Sequence, residues 1–237
     1  MIFVFGKRQI LLAGLVCCFF MAFAAVLWTG HGLAVPVFSA GESTPLTWVI
    51  DPGHGGEDGG AVASDGIVAE SQLNLEIALR VQDLMAFLGQ ESVMTRSEDI
   101  SIHSSSAKSA REKKVSDLHN RVALVNETKN AVLLSIHQNS LPSSPVTHGA
   151  QVFWNSREGA GDLAQSVQDA LNLTINPGNE KHTKKIPGTI YLMKNVTAPA
   201  VLVECGFLSN PEETQQLRQP AHQLRLAASI TAGCLAW

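Results

Sequence analysis

The sequence from Val49 to Gly60 reads V-I-D-P-G-H-G-G-E-D-G-G, an apolar strand followed by a glycine-rich turn that carries His54. Such turns often bind phosphates. Here the G-x-x-x-x-G-K-[ST] pattern is absent, and Asp58 stands where G-x-G-x-x-G requires its last glycine. Glu57 and Asp58 would also repel a phosphate. The stretch therefore disfavours a nucleotide site and raises the question whether His54 binds a metal.

The composition fits one globular domain, or at most two small ones. The chain has 237 residues, 45% hydrophobic and 16% charged, which is enough for a sizeable core. The formal net charge is -4, so no broad basic surface is available for nucleic acid. No G-x-S-x-G elbow is present to indicate a serine hydrolase.

The N-terminal residues 1–28 are predicted to be a transmembrane anchor or a signal segment. Lys7 and Arg8 precede the uncharged run Ile10–Trp28, which just spans a bilayer core of about 30 Å. The cleaved alternative is supported by A-x-A-like sites at 22–24 and 32–34. Residues 29–45 are predicted to be a linker. Both alternatives predict that the remainder is extracytoplasmic.

The four cysteines do not indicate a zinc knuckle or a disulfide framework, because no C-x-x-C pair occurs. Cys17 and Cys18 lie in the apolar N-terminal run. Cys205 and Cys234 are isolated in apolar surroundings, and we expect them to be small buried residues. A disulfide between Cys205 and Cys234 is the alternative in an exported protein.

Strand and helix patterns alternate from Leu46 onward. Short β-rich or apolar runs predict strands at Thr47–Asp51, Glu91–Thr95, Ala131–Ile136, Ala150–Trp154, Thr189–Met193 and Ala200–Glu204. Helical spacing or capping residues predict helices at Ser71–Leu88, Val115–Asn126, around Leu163–Leu171, after Ser209 or Asn210, and at Ala221–Leu235. Polar residues predict loops at 97–114 and 174–185. The predicted fold is α/β, a mostly parallel twisted sheet with helices on both faces, in one domain over residues 46–237.

Four residues are expected at the carboxyl edge of this sheet, where sites form in such folds. His54 and His137 follow strands, Glu204 ends one, and Glu70 opens the first helix. Two histidines and a carboxylate are a common ligand set for catalytic zinc, with a fourth position left for water. Glu204 is then the spare acid for proton transfer.

Ordinary structural roles are alternatives for each of these residues. The histidines are also compatible with hydrogen-bonded structural positions, Glu70 with a solvated first-turn acid, and Glu204 with a salt-bridged strand end. The remaining histidines fall in the linker, in loops or in helices: His31, His103, His119, His148, His182 and His222.

Five segments in order resemble the zinc-dependent N-acetylmuramoyl-L-alanine amidases of the amidase-3 type. They are I-D-P-G-H-G-G-E-D-G-G, A-E-S-Q-L-N-L, D-L-H-N-R-V-A-L-V-N, L-S-I-H-Q-N-S and P-A-V-L-V-E-C-G-F-L-S-N-P-E-E. The resemblance covers about Thr47–Trp237. It implies that His54, Glu70 and His137 bind one Zn²⁺ ion and that Glu204 is the catalytic acid/base.

The implied substrate is peptidoglycan, cleaved at the amide between N-acetylmuramic acid and L-alanine of the stem peptide. The family commonly has E-K at the second ligand, whereas Ser71 follows Glu70 here, so a nearby positive charge is lost. We expect Asn139 and Arg121 to orient substrate or brace the site, with a structural ion pair favoured for Arg121. We expect Asp51 to steer a ligand histidine.

A narrower resemblance points to the membrane-anchored spore-cortex amidases of endospore formers, which help to form muramic δ-lactam. It rests on R-E-K-K-V-S-D-L-H-N-R, the single N-terminal apolar segment and the absence of wall-binding repeats. A general autolytic amidase, a silent peptidoglycan-binding protein and a stem-peptide peptidase are the alternatives. A lytic enzyme needs restraint, so a regulatory protein partner is compatible with the sequence, although no residue pattern identifies one.

Overall fold

A computed structural model describes residues 45–237, a range that contains six strands and six helices. The predicted segment 1–28 and all but the last residue of the predicted linker 29–45 lie outside the described residues. Within the described part of the chain, no helix is both long and apolar enough to cross a bilayer.

The strands form one sheet in the order β2-β1-β3-β6-β4-β5. Their bounds are β1 Thr47–Pro52, β2 Glu91–Met94, β3 Ala131–Asn139, β4 Gln151–Trp154, β5 Lys184–Lys185 and β6 Ala200–Phe207. β2, β1, β3 and β6 are mutually parallel, whereas β4 runs antiparallel to β6 and pairs in parallel with β5. The prediction of a mostly parallel α/β sheet is therefore confirmed.

Helices cover both faces of this sheet. Their bounds are α1 Glu70–Phe87, α2 Ala110–Glu127, α3 Ala160–Thr174, α4 Tyr191–Asn195, α5 Pro211–Leu217 and α6 Pro220–Leu235. One core cluster joins the sheet to α1, α3 and α6, with Ile77, Leu163 and Leu226 fully buried. A smaller cluster joins the opposite face to α2 and α4, through Val125 and Leu192. Each helix thus buries its apolar side against the sheet.

Two predicted boundaries and one predicted strand were wrong. The predicted strand Thr189–Met193 contains the start of helix α4, because a short apolar run does not distinguish a strand from a buried helical turn. The predicted loop 97–114 contains the first turn of α2, where Ser109 and Glu112 form a capping box. Because that turn consists mostly of charged residues, it lacks the periodic apolar residues by which a helix is recognised in the sequence. Likewise, the predicted loop 174–185 ends in the two-residue strand β5.

The remaining element predictions hold to within a few residues. Asn210, not Ser209, caps α5, and its side chain accepts a hydrogen bond from the Glu213 amide. Cys205 and Cys234 are both free and buried, so the alternative of a disulfide is wrong. Burial raises the pKa of both thiols, as expected of unreactive cysteines in a core.

A buried ion pair joins α2 to the end of β1. Arg121 Nη1 donates to Asp51 Oδ1 at 2.6 Å, and the two side chains are 2% and 1% exposed. Asp51 also accepts hydrogen bonds from the hydroxyls of Thr95 and Ser135. Burial opposes the ionisation of Asp51, but Arg121 and the two hydroxyls outweigh it and lower the pKa of the carboxyl below its usual range. The predicted structural ion pair of Arg121 is confirmed.

We predict that Arg121→Met lowers the free energy of unfolding by about 3–5 kcal/mol, because Asp51 is left buried without its charge partner. Urea unfolding followed by circular dichroism measures the loss. Arg218→Met is the matched control, since Arg218 pairs with Asp65 at the surface, where an ion pair contributes little. Equal losses in the two variants would contradict this account of the pair.

Candidate active site

Three side chains that are distant in sequence meet at the carboxyl edge of the sheet. His54 lies in the turn after β1, Glu70 is the first residue of α1, and His137 lies near the end of β3. Glu70 Oε1 is 2.8 Å from His137 Nδ1 and 3.4 Å from His54 Nε2. One nitrogen or oxygen from each residue lies within 4.8 Å of the others, and residues 45–237 contain no other such group of three.

Glu70 is held as an ionised acceptor. Its Oε2 accepts a hydrogen bond from the Ala61 amide at 2.9 Å, and its Oε1 accepts one from the Gln138 amide at 3.2 Å. Burial alone would raise the pKa of Glu70, but the hydrogen bonds with His137 and His54 outweigh burial and lower that pKa well below its usual range. The solvated first-turn position considered from the sequence is therefore wrong, because Glu70 is only 4% exposed.

Asp58 orients His54 from the opposite side of the ring. Its Oδ2 lies 3.0 Å from His54 Nδ1 and 3.1 Å from Lys114 Nζ. This contact favours the tautomer with the proton on Nδ1, which leaves the lone pair of Nε2, on the Glu70 side of the ring, available to bind a metal ion. Burial opposes charging of His54, but Glu70 and Asp58 raise the pKa of the ring above its ordinary value.

The carboxylate that orients a histidine of this group is therefore Asp58, not Asp51 as expected from the sequence. Asp51 contacts Arg121, Thr95 and Ser135 and forms no hydrogen bond with a histidine. From the sequence, Asp58 is expected only to disfavour a phosphate. Its position four residues after His54, within one glycine-rich turn, is the sequence feature that could have predicted the contact.

Two arginines fix the backbone of the turn that carries His54. Arg121 Nη2 donates to the His54 carbonyl at 2.7 Å, and Arg96 donates to the carbonyls of Pro52, Gly53 and Ser71 at 2.8–3.1 Å. His54 has φ of +62°, a left-handed conformation that costs energy in a residue with a side chain. Ser71 stands where the amidase-3 type commonly has a lysine. The buried guanidinium of Arg96 donates a hydrogen bond to the carbonyl of this serine.

Glu204 lies beside the three residues in the neighbouring strand. It is the register partner of His137 across β3 and β6, and its Oε2 is buried without a hydrogen-bond partner within residues 45–237. Burial raises the pKa of Glu204 to about 7, and the charge of Glu70 acts in the same direction. Both His137 and Glu204 lie inside their strands rather than beyond them, as β3 and β6 continue to Asn139 and Phe207.

All four side chains line one cleft of about 490 Å³. Leu118, Ile190 and Tyr191 from α2 and the start of α4 form an apolar wall of the same cleft. Asn139 also lines it, and its side-chain oxygen accepts a hydrogen bond from the Ser140 amide. The cleft has the mixed polar and apolar lining of a small-molecule or polymer site.

The other described histidines lie apart from this group. His103 contacts Ser101 in the loop before α2, and His119 stacks on Tyr191 with ring centroids 5.2 Å apart. His148 contacts a backbone carbonyl of its own loop. His222 is buried in α6 near Arg225, and burial together with that guanidinium lowers the pKa of its ring to about 4.

A protein-family model described as N-acetylmuramoyl-L-alanine amidase (Amidase_3) matches residues 49–236. The germination-specific N-acetylmuramoyl-L-alanine amidase of Bacillus subtilis strain 168 is 40% identical over 197 residues, which cover 81% of each protein. The amidase LytC of the same organism is 29% identical over 194 residues, which cover 81% of this chain but 35% of LytC.

The fold is also similar to solved amidase structures. The CwlD amidase from Clostridioides difficile, solved in complex with the GerS lipoprotein, superposes with a TM-score of 0.77 at 31% identity. The match covers 81% of this chain and 97% of that chain. The catalytic domain of CwlV from Bacillus (Paenibacillus) polymyxa gives a TM-score of 0.66 at 28% identity over 81% of this chain and 97% of that one.

His54, Glu70 and His137 could hold a metal ion, and we predict that Gly53→Ala weakens the affinity of this group for Zn²⁺ by about 10–100-fold. A Cβ at residue 53 would lie 2.2 Å from the ring of His137, so the ring must move. Isothermal titration calorimetry measures the affinity. Gly188→Ala is the control, because no atom lies within 4 Å of its added Cβ. An affinity in Gly53→Ala equal to that of the control would contradict the close packing described here.

Proposed function

Because this chain belongs to the N-acetylmuramoyl-L-alanine amidase family, the peptidoglycan amidases, we propose that it cleaves its substrate with one zinc ion. The proposed ligands are His54, Glu70 and His137, and Glu204 is the proposed acid/base. The observation that carries the proposal is the meeting of these four side chains in one cleft. The bond cleaved joins N-acetylmuramic acid to L-alanine of the stem peptide.

The donor chemistry fits zinc. Two imidazoles and one carboxylate form a typical catalytic set, whereas structural zinc sites are usually closed by four protein ligands. The lowered pKa of Glu70 keeps this carboxylate ionised, as a metal ligand must be. The contact of Asp58 with His54 Nδ1 is the type of interaction that orients a ligand histidine.

Glu204 is the proposed group for proton transfer. A bound zinc ion would supply Lewis-acid chemistry, polarising the lactyl carbonyl and acidifying a water molecule. Glu204 accepts a proton as the water oxygen forms its bond to the carbonyl carbon. It returns a proton to the alanine nitrogen as the C–N bond breaks, which yields a carboxylate and a free α-amino group. A pKa near 7 suits a group that must both accept and donate.

We propose the spore cortex as the place of action. The germination-specific relative is 40% identical and of similar length, whereas the match to LytC covers 35% of that protein at 29% identity. A general autolytic amidase is the second candidate. Residues 1–28 are the proposed membrane attachment or export signal, which would place the domain outside the cytoplasm. CwlD was solved in complex with the GerS lipoprotein, which supports a proposal that this enzyme also binds a protein partner.

We predict that Glu204→Gln lowers kcat by about 10²–10⁴-fold, because amide in place of carboxyl neither accepts nor returns the proton. Release of free alanine amino groups from purified peptidoglycan measures the rate. Zinc content, determined by elemental analysis, should remain at one ion per chain. Glu158→Gln, an exposed acid at the other edge of the sheet, is the control. Full activity in zinc-loaded Glu204→Gln would refute the proposed role.

Digestion of two peptidoglycan preparations distinguishes the proposed spore-cortex function from the autolytic alternative. Purified enzyme is incubated with cortex and with vegetative peptidoglycan, and the products are identified by mass spectrometry. A cortex enzyme is expected to release stem peptides with a free alanine terminus faster from cortex material. Equal rates on both preparations would favour the autolytic candidate. Cleavage within the stem peptide would instead contradict amidase specificity.

A further inference from the structure

Five exposed apolar side chains collect at the amino edge of the sheet, opposite the cleft. They are Leu46, Phe87, Leu88, Leu235 and Trp237, with exposures of 43%, 86%, 46%, 42% and 40%. We call them the amino-edge patch. Single exposed apolar residues are ordinary, but a group that includes two aromatic rings at one end of a domain indicates a contact surface.

The topology places these residues at one end. Leu46 directly precedes β1, whose first residue Thr47 pairs with Glu91 at the start of β2. Phe87 is the last residue of α1 and Leu88 is its C-cap, three residues before Glu91. The ring of Trp237 packs edge-on against Trp48 of β1, with centroids 6.2 Å apart.

Helix α1 spans the distance from this patch to the cleft. It has 18 residues and is therefore about 27 Å long. Glu70, a proposed zinc ligand, is its first residue, and Phe87, the most exposed of the patch residues, is its last. The two surfaces thus lie at opposite ends of one rigid element.

The chain outside the described residues enters at the patch. Residues 1–44 precede Leu46, and within them Ile10–Trp28 carries no charge. Any attachment of this segment to a bilayer therefore brings the lipid surface within a short linker of the amino edge. Aromatic and large aliphatic side chains favour the interface between lipid and water.

We propose that the amino-edge patch docks on the lipid surface, so that the cleft faces away from the membrane. The inference rests on the proposed membrane attachment but not on the amidase chemistry. Docking would give the domain one orientation relative to the lipid surface. In that orientation the candidate active site stands about 27 Å above the contact, which is the length of α1.

The charges around the patch indicate that apolar contact, not attraction to anionic lipid, drives the docking. The exposed charged residues at this edge are of both signs: Glu91, Glu127, Glu158 and Asp162 with Lys129, Arg157 and Lys194. This mixture offers no polybasic surface of the kind that binds anionic headgroups. Docking is therefore expected on zwitterionic phosphatidylcholine vesicles without anionic lipid.

Fluorescence quenching of the full chain in phosphatidylcholine vesicles tests the proposal. A bimane label is attached at Phe87→Cys or, as the matched control, at Leu173→Cys, which is 81% exposed at the carboxyl-edge end of α3. Cys17 and Cys18 are replaced by serine, whereas Cys205 and Cys234 are buried and remain. Lipids with a shallow acyl-chain nitroxide are the quencher.

The expected result is at least about threefold stronger quenching at residue 87 than at residue 173. Equal quenching, or none at residue 87, in a chain that floats with the vesicles would overturn the docking while leaving membrane attachment intact. A chain that does not float would overturn both. Quenching at residue 87 that disappears in the double variant Leu88→Ser/Trp237→Ser would confirm that the patch itself makes the contact.

Discussion

The buried pair of Arg121 and Asp51 is the contact on which the candidate site depends. It links α2 to the end of β1, and the same guanidinium donates to the carbonyl of His54. His54 adopts a left-handed backbone conformation that an isolated peptide would avoid. Because two arginines bond to the carbonyls around this turn, the strain is opposed by several charge-assisted hydrogen bonds, and the imidazole is held toward Glu70 and His137. Neither arginine lies on the strand or helix that carries the proposed zinc ligands.

Much of this arrangement could be predicted because parallel strands share a carboxyl edge. Residues at strand ends, such as His54 and His137, therefore become neighbours whatever their separation in sequence, and the same reasoning located Glu204 and Glu70. The partner of His54 could not be predicted in this way. Asp58 and Lys114 meet it through a tight turn and through the first turn of α2, whose charged residues carry no apolar period. The prediction of a strand at Thr189–Met193 was wrong for a related reason. Apolar character alone does not distinguish a strand from a short helix such as α4, which forms one wall of the cleft.

The sheet gives the domain two unlike ends. At the carboxyl edge, glycines allow the backbone to approach side chains that would otherwise collide, as at Gly53 beside His137. At the amino edge, helices α1 and α6 end in exposed apolar residues near the point where the preceding chain enters. The proposed membrane attachment requires that the cleft face a polymer on the far side of the domain from the lipid. A sheet with the candidate site at one edge and exposed apolar side chains at the other is compatible with that proposal.

Anomalous diffraction at the zinc absorption edge, from crystals of residues 45–237 grown with Zn²⁺, tests the central claim most directly. A corresponding range was solved as the catalytic domain of CwlV, which the match covers over 97% of its length, and this supports the use of residues 45–237. The account predicts a single peak about 2.0–2.2 Å from a nitrogen of His54, a nitrogen of His137 and a carboxylate oxygen of Glu70. A zinc peak on other histidines, or none among these three residues, would contradict it.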